Sequence, residues 1–145
     1  AIIRCGYGDN IKSQDDKKWA ENVAGCEKNN IPYGVYIYSY ATSVKQAESE
    51  ANHVLRLIKG HTLNFPIYYD MEDAVQAKLS KSNRTKIANK FLGIIKNAGY
   101  ECGIYANLNW YRNYLNKDII KNYIKDETFV KNKHLNRHIP HDSGA

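Results

Sequence analysis

Apolar and polar positions in this chain follow two periods, and the switches between them mark the elements. Ile2-Ile3-Arg4-Cys5-Gly6-Tyr7-Gly8 reads as a strand already under way at the first residue, so a further segment is expected upstream. After the turn residues Gly8-Asp9-Asn10, Asp15 or Asp16 can cap a helix that sets Trp19, Val23 and Cys26 at i, i+4 and i+7 and ends near Asn29-Asn30. Ile31-Pro32 restarts an extended run, Tyr33 to Tyr40, whose β-branched and aromatic content predicts a buried parallel strand. Ser43-Val44-Lys45-Gln46 forms a capping box, and Val44, Ala47, Ala51, Val54, Leu55 and Ile58 make the stripe of a second helix that Gly60 can end.

Phe65-Pro66-Ile67-Tyr68-Tyr69-Asp70-Met71-Glu72-Asp73 is the third strand, an apolar and aromatic run closing on three carboxylates. A polar loop from Asp73 to Ser80 gives way to a helix carrying Ile87, Phe91, Ile94, Ile95 and Ala98, with Gly99 as its stop. Glu101 to Asn107 follows as a fourth strand, then a helix-like stretch from Asn107 to Leu115. Gly103-Ile104-Tyr105 echoes Gly34-Val35-Tyr36, and strand starts near residues 2, 33, 65 and 101 have the spacing of a strand plus a crossover helix. The fold class is therefore α/β with parallel strands and helical crossovers. Residues 1–121 are expected to form a barrel-type domain, and 122–145, where Lys, Asn and His show no period, a divergent and poorly packed tail.

With 145 residues and 43% hydrophobic content the chain is long enough for one domain with one core, and it has no apolar run long enough to span a membrane. The net charge of +6 favours anionic partners in general. Its lysines are scattered along helical faces, and no nucleic-acid signature accompanies them, so they read as solvated surface. Cys5, Cys26 and Cys102 lack metal-site spacing and are odd in number, which predicts buried thiols; Cys5 and Cys26 could still meet between a strand and its helix.

Chemistry concentrates at the third strand. Side chains alternate along a strand, so Asp70 and Glu72 project to one side, about 6 to 7 Å apart along the backbone, at the carboxyl end where parallel folds place their sites. The competing reading is a solvated acidic turn. His134, His138 and His141 have a spacing that invites a metal, but Pro140 limits a helix there and no carboxylate or cysteine completes a set. His53 and His61 are assigned to the surface or partial burial, and no cofactor is expected.

The combined text of Ile2 to Gly8, Gly34 to Ala41, Tyr69 to Asp73 and Gly103 to Asn107 resembles the family 25 glycoside hydrolases, the Chalaropsis-type lysozymes, over residues 1 to 120. The resemblance implies a partial, irregular TIM-like β/α barrel. It also implies a muramidase cleaving the β-1,4 bond between N-acetylmuramic acid and N-acetylglucosamine in peptidoglycan, at the cell wall or outside the cell. By position, Glu72 matches the general acid and Asp70 the carboxylate assisting at the anomeric centre, directly or through the substrate's N-acetyl group. Tyr36, Tyr38 and Tyr105 match cleft positions that bind sugar, with core packing as the alternative, and Arg4 reaches the same cleft. The family's preceding strand and closing strands, each carrying a further active-site aspartate, have no match here; Asp9 and Asp142 lack the context to replace them. Little turnover is therefore expected from these residues alone, and a monomer is expected, with association open through the sheet edge at Ile2 to Gly8. A non-catalytic module binding cell-wall glycan is the alternative. A flavodoxin-like binding protein would need a fuller glycine loop than Gly6-Tyr7-Gly8.

Overall fold

Among the described residues, each strand after the first pairs with the one before it in the sequence. In the computed structural model, which describes residues 1–107, 109–116 and 130–132, β1 (Ile2–Tyr7), β2 (Gly34–Tyr38), β3 (Ile67–Asp70), β4 (Cys102–Ala106) and β5 (Val130–Asn132) form one parallel sheet in that order. The helices are α1 (Trp19–Lys28), α2 (Val44–Ile58), α3 (Ala74–Ala77) and α4 (Lys81–Asn97). Right-handed crossovers between neighbouring strands must all fall on one face of the sheet. Accordingly α1 and α2 lie on β1, α4 lies on β3 and β4, and α2 packs against α4. This is the winding of a barrel wall, since a doubly wound sheet reverses its strand order midway.

The two faces of the sheet differ in chemistry. Toward the helices point Ile3, Cys5, Val35, Ile37, Ile67, Tyr69, Cys102, Ile104 and Ala106, all buried. Tyr69 stacks on Phe91 of α4 with ring centroids 3.8 Å apart and planes 7° from parallel. Residues of the other parity, Arg4, Tyr36, Tyr38, Tyr68, Asp70 and Tyr105, occupy the opposite face. Its register is interrupted once, between Arg4 and Gly6, after which Tyr7 pairs with Tyr38. The expected one-domain α/β core is thus built from one apolar face, while tyrosine supplies the other.

Several local expectations need correction. Trp19, Val23 and Cys26 are the buried face of α1, but its N-cap is Lys18 and no side chain caps it. Asp16 instead accepts the Lys18 N–H at Oδ1 across 2.8 Å, and Asp15 is drawn away toward α2. Ser43 caps α2 through the Gln46 N–H at 3.1 Å, while Gln46 Oε1 returns to the Thr42 N–H, one residue earlier than a reciprocal capping box requires. Val44 is 40% exposed and leaves the stripe, whereas Glu50 and His53 join Ala47, Ala51, Val54 and Ile58 on the buried face. Polar partners replace the apolar environment there, so periodicity does not find them.

The loop after β3 contains α3, capped by Asp73, whose Oδ2 accepts the Val75 N–H at 3.0 Å. Residues Trp110–Tyr114 form a π-helical turn, and Arg84 reaches across to the Tyr114 carbonyl at 2.9 Å. β5 lies beyond residue 122, in the segment expected to be a divergent and poorly packed tail, and a three-residue strand carries too short an alternation to be read. The three histidines of the weighed metal site and Asp142 lie outside the described residues. All three cysteines are free and buried. Among the described residues no helix is long and apolar enough to cross a membrane.

Candidate active site

Asp70 is the last residue of β3 and only 4% exposed. It lies in register with Tyr38 on β2 and Tyr105 on β4, two residue pairs beyond Tyr36 and Tyr68 and so on the same face. The Ser39 N–H donates to the Asp70 carbonyl at 2.9 Å, and the Met71 N–H donates to the Tyr105 carbonyl at 3.0 Å. Pairing thus continues on both sides just past Asp70. The chain then leaves the sheet, so Glu72 stands half-buried beyond the strand, where strand spacing no longer sets its distance from Asp70. Asp73 follows at the start of α3.

The tyrosines surround this exit. Tyr36 and Tyr105 face each other with centroids 6.4 Å apart and planes 20° from parallel. Tyr38 donates to Asp73 Oδ1 at 3.0 Å, and its ring lies 5.0 Å from that of Tyr40, which in turn meets Tyr7 edge-on at 6.0 Å. Burial raises the pKa of Tyr38, reinforced by the hydrogen bond to Asp73 and by the charges of Asp73, Glu72 and Asp70. Burial also raises that of Tyr36, with Arg4 opposing and Asp70 adding to the rise. Those electrostatic influences place both phenols in the field of the acidic cluster and keep them as neutral hydrogen-bond donors. Arg4 shares the face; its guanidinium lies 5.4 Å from the Tyr7 ring centroid and its Nε 3.7 Å from an Asp16 carboxylate oxygen.

The structure therefore brings together Asp70, Tyr36, Tyr38, Tyr105 and Arg4 on one face, with Glu72 just beyond it. Tyr7, Tyr68 and Asp73 belong to the same assembly and were not singled out from the sequence. Tyr68 shares the parity of Asp70, and Asp73-x-x-Gln76 is itself a helix-start signature. A separate shallow pocket of about 190 Å³, lined among others by Tyr7, Asp9, Gln14, Tyr40, Gln46 and Glu50, includes neither Asp70 nor Glu72.

A singly wound β/α wall with carboxylates and tyrosines at the carboxyl end of its strands defines the class: a barrel-type fold, with those residues at the end where such barrels hold their sites. The profile described as glycosyl hydrolases family 25 matches residues 9–132, and the chain belongs to that family. Among solved structures, the modular autolysin LytC from Streptococcus pneumoniae, determined with a synthetic peptidoglycan ligand, is 31% identical, with a TM-score of 0.72 over 85% of this chain and 30% of its own. GHIP, a glycosyl hydrolase 25 of Streptococcus pneumoniae, is 20% identical, with a TM-score of 0.71 over 90% of this chain and 55% of its own. The catalytic domain of the endolysin ply40 from bacteriophage P40 of Listeria monocytogenes is 20% identical, with a TM-score of 0.64 over 76% of this chain and 53% of its own. The last two share the fold. The chain thus spans between about a third and just over half of these relatives' lengths. No curated protein matches the sequence.

Proposed function

We propose that this chain carries the acid and the assisting carboxylate of a peptidoglycan hydrolase, a muramidase cleaving the β-1,4 bond between N-acetylmuramic acid and N-acetylglucosamine at the cell wall. The observation that carries the reading is the placement of Asp70 at the end of β3, between Tyr38 and Tyr105, with Glu72 two residues on, in a chain of family 25. Glycoside cleavage requires a proton for the departing oxygen and an anion to stabilise oxocarbenium-like charge at the anomeric carbon. Glu72, half-buried where the chain leaves the sheet, is the donor. Asp70, deeper on the strand, is the anion, acting on the anomeric carbon or on the N-acetyl group that attacks it. Either route retains configuration.

Tyr36 and Tyr105 present ring faces on which a sugar can stack, and Tyr38 and Arg4 border the same surface. The expected substrate is the glycan strand of the bacterial wall, bound by a monomer of this chain without a cofactor. Release of reducing ends from purified peptidoglycan, set beside retention on the same walls, tests the reading. The expected result is slow release by the parent chain, in keeping with the little turnover expected of these residues alone, and, because a positioned general acid contributes about 10² to 10⁴-fold, its loss in Glu72→Gln with wall retention intact. Retention by the parent without release of ends would assign the chain to glycan binding instead.

A further inference from the structure

Both ends of the segment that carries Glu72 are fastened to one buried residue, Ser39, at the carboxyl end of β2. At the near end, the Ser39 N–H holds the Asp70 carbonyl at 2.9 Å. At the far end, Gln76 of α3 donates from Nε2 to Ser39 Oγ at 2.7 Å and to the Ala41 carbonyl at 2.9 Å. Glu72 lies between these two anchors.

Ser39 is itself held by Glu50, a glutamate 1% exposed on α2 that the cleavage chemistry does not use. Glu50 Oε1 accepts the Ser39 hydroxyl at 2.7 Å and the hydroxyl of Tyr69, the residue before Asp70. Its Oε2 accepts the Tyr40 N–H at 2.8 Å. Burial raises the pKa of Glu50, and the bonds from Tyr69, Tyr40 and Ser39 oppose that rise. A carboxylate taken out of water is tolerated when donors of this kind surround it, and a satisfied buried network holds one geometry. No apolar side chain in its place could fix a serine hydroxyl, a tyrosine hydroxyl and a backbone N–H at once.

We propose that Glu50 is a positioning residue for the catalytic pair: through Ser39, Tyr69 and Gln76 it fixes the segment from Asp70 to Gln76, and so the approach of Glu72 to the glycan. The inference rests on the reading of Glu72 and Asp70 given above. A misplacement of about 1 Å can cost on the order of 10²-fold in rate while leaving the binding surface in place.

The test uses Glu50→Gln, Glu50→Leu, Tyr69→Phe and Gln76→Met in the whole chain, with kcat and KM on peptidoglycan fragments at a temperature where circular dichroism shows each variant folded. Amide hydrogen exchange across residues 71–76 is measured in parallel. Tyr69→Phe keeps the ring stacked on Phe91 and removes only the hydroxyl; Gln76→Met keeps length and removes the far anchor. For both, kcat is expected to fall about tenfold to a hundredfold with KM changed less than about twofold, and exchange at 71–76 to quicken. Glu50→Gln is expected to lower kcat by less than about tenfold, because its amide oxygen can serve Tyr40 and its NH₂ can donate to the Tyr69 hydroxyl, while Ser39 Oγ, which already accepts from Gln76 and the Ala41 N–H, loses its acceptor.

Should Glu50→Leu fail to fold, Tyr69→Phe and Gln76→Met decide the matter alone. Parent-like kcat in those two with only a lowered melting temperature, or a rise confined to KM, overturns the proposal. A parent without glycan cleavage would remove the functional reading, and the exchange measurement would still discriminate: quickening at 71–76 in Gln76→Met supports the clamp, and unchanged protection refutes it.

Discussion

The Tyr38 hydroxyl donates to Asp73 Oδ1 across 3.0 Å while Asp73 Oδ2 accepts the Val75 N–H, also at 3.0 Å, so one carboxylate joins the end of β2 to the first turn of α3. Tyr38→Phe removes the first bond and leaves the cap. A hydrogen bond to a charged group contributes about 1.5 to 3 kcal/mol, and partial exposure of both partners points to the lower end of that range. Thermal unfolding should show a melting temperature lower by several degrees.

The same pair makes a pH prediction. The pKa of Tyr38 is raised in the folded state from the ordinary 10.0, so its contribution is fully present below pH 10.0 and lost as pH climbs through the higher folded value. The stability gap between parent and Tyr38→Phe should therefore stay constant through neutral pH and close in strong alkali. A gap that already narrows near pH 7 would show that the bond does not behave as described.

Asp70→Asn addresses the chemical step. The substitution keeps shape and removes the negative charge proposed to assist at the anomeric centre, so turnover should fall by about 10² to 10³-fold with wall affinity nearly unchanged. Kinetics on peptidoglycan fragments, paired with a binding isotherm on intact walls, separate the two quantities. A change in affinity alone would move Asp70 from catalysis to binding.

Asp15 anchors the segment after β1 to α2. Its carboxylate accepts Arg56 Nη1 at 3.1 Å and meets Nε2 of the fully buried His53 at 2.7 Å, while His53 Nδ1 faces the Gly8 carbonyl at 2.9 Å. Arg56 and then His53 hold its pKa below the usual 3.8 against the opposing effect of burial. A lowered carboxylate pKa stabilises above the unfolded value and loses that contribution as pH falls through the folded one. Asp15→Asn should thus cost roughly 1 to 3 kcal/mol at neutral pH in chemical denaturation, and the deficit should shrink on acidification below about pH 4.

Two glycine replacements should have opposite signs. A Cβ on Gly34 would lie 2.6 Å from the Pro66 carbonyl oxygen and 2.9 Å from Phe65 Cβ, a backbone conflict at the start of β2. Around Gly25, on the α1 surface, a Cβ would meet nothing within 4 Å. Gly25→Ala should stabilise by about 0.5 to 1 kcal/mol, and Gly34→Ala should destabilise by more than that. Urea midpoints at constant slope give both.

What the sequence made legible follows from short-range regularity. Trp19, Val23 and Cys26 announce the buried face of α1 by helical spacing, and Tyr36 and Tyr38 announce a common sheet face by alternation, to which only the register adds Asp70. Gly60 and Gly99, with φ of 83° and 95°, end their helices where a left-handed residue is wanted. Glu50 and His53 escaped this kind of reading because their burial is decided by distant partners: His53 meets Asp15 and Gly8 across separations of 38 and 45 residues. A polar residue on a helix reads as solvated until the loop that covers it is known. Asp73 was visible as one of three acids, yet only the tertiary contact with Tyr38 shows that it binds a phenol as well as capping α3.

The sequential strand order β1-β2-β3-β4-β5 also shapes how this chain can be assembled. Each strand finds its partner one crossover back, so a growing polypeptide can add one βα layer at a time onto a surface already formed, without waiting for a distant edge. Parallel pairing over long separations is slow because loop closure must precede its reward, and here each described pairing joins strands that are neighbours in the sequence. Synthesis from the N-terminus therefore runs in the same direction as the strand order, and the acidic exit of β3 has its full register only with β4 beside it.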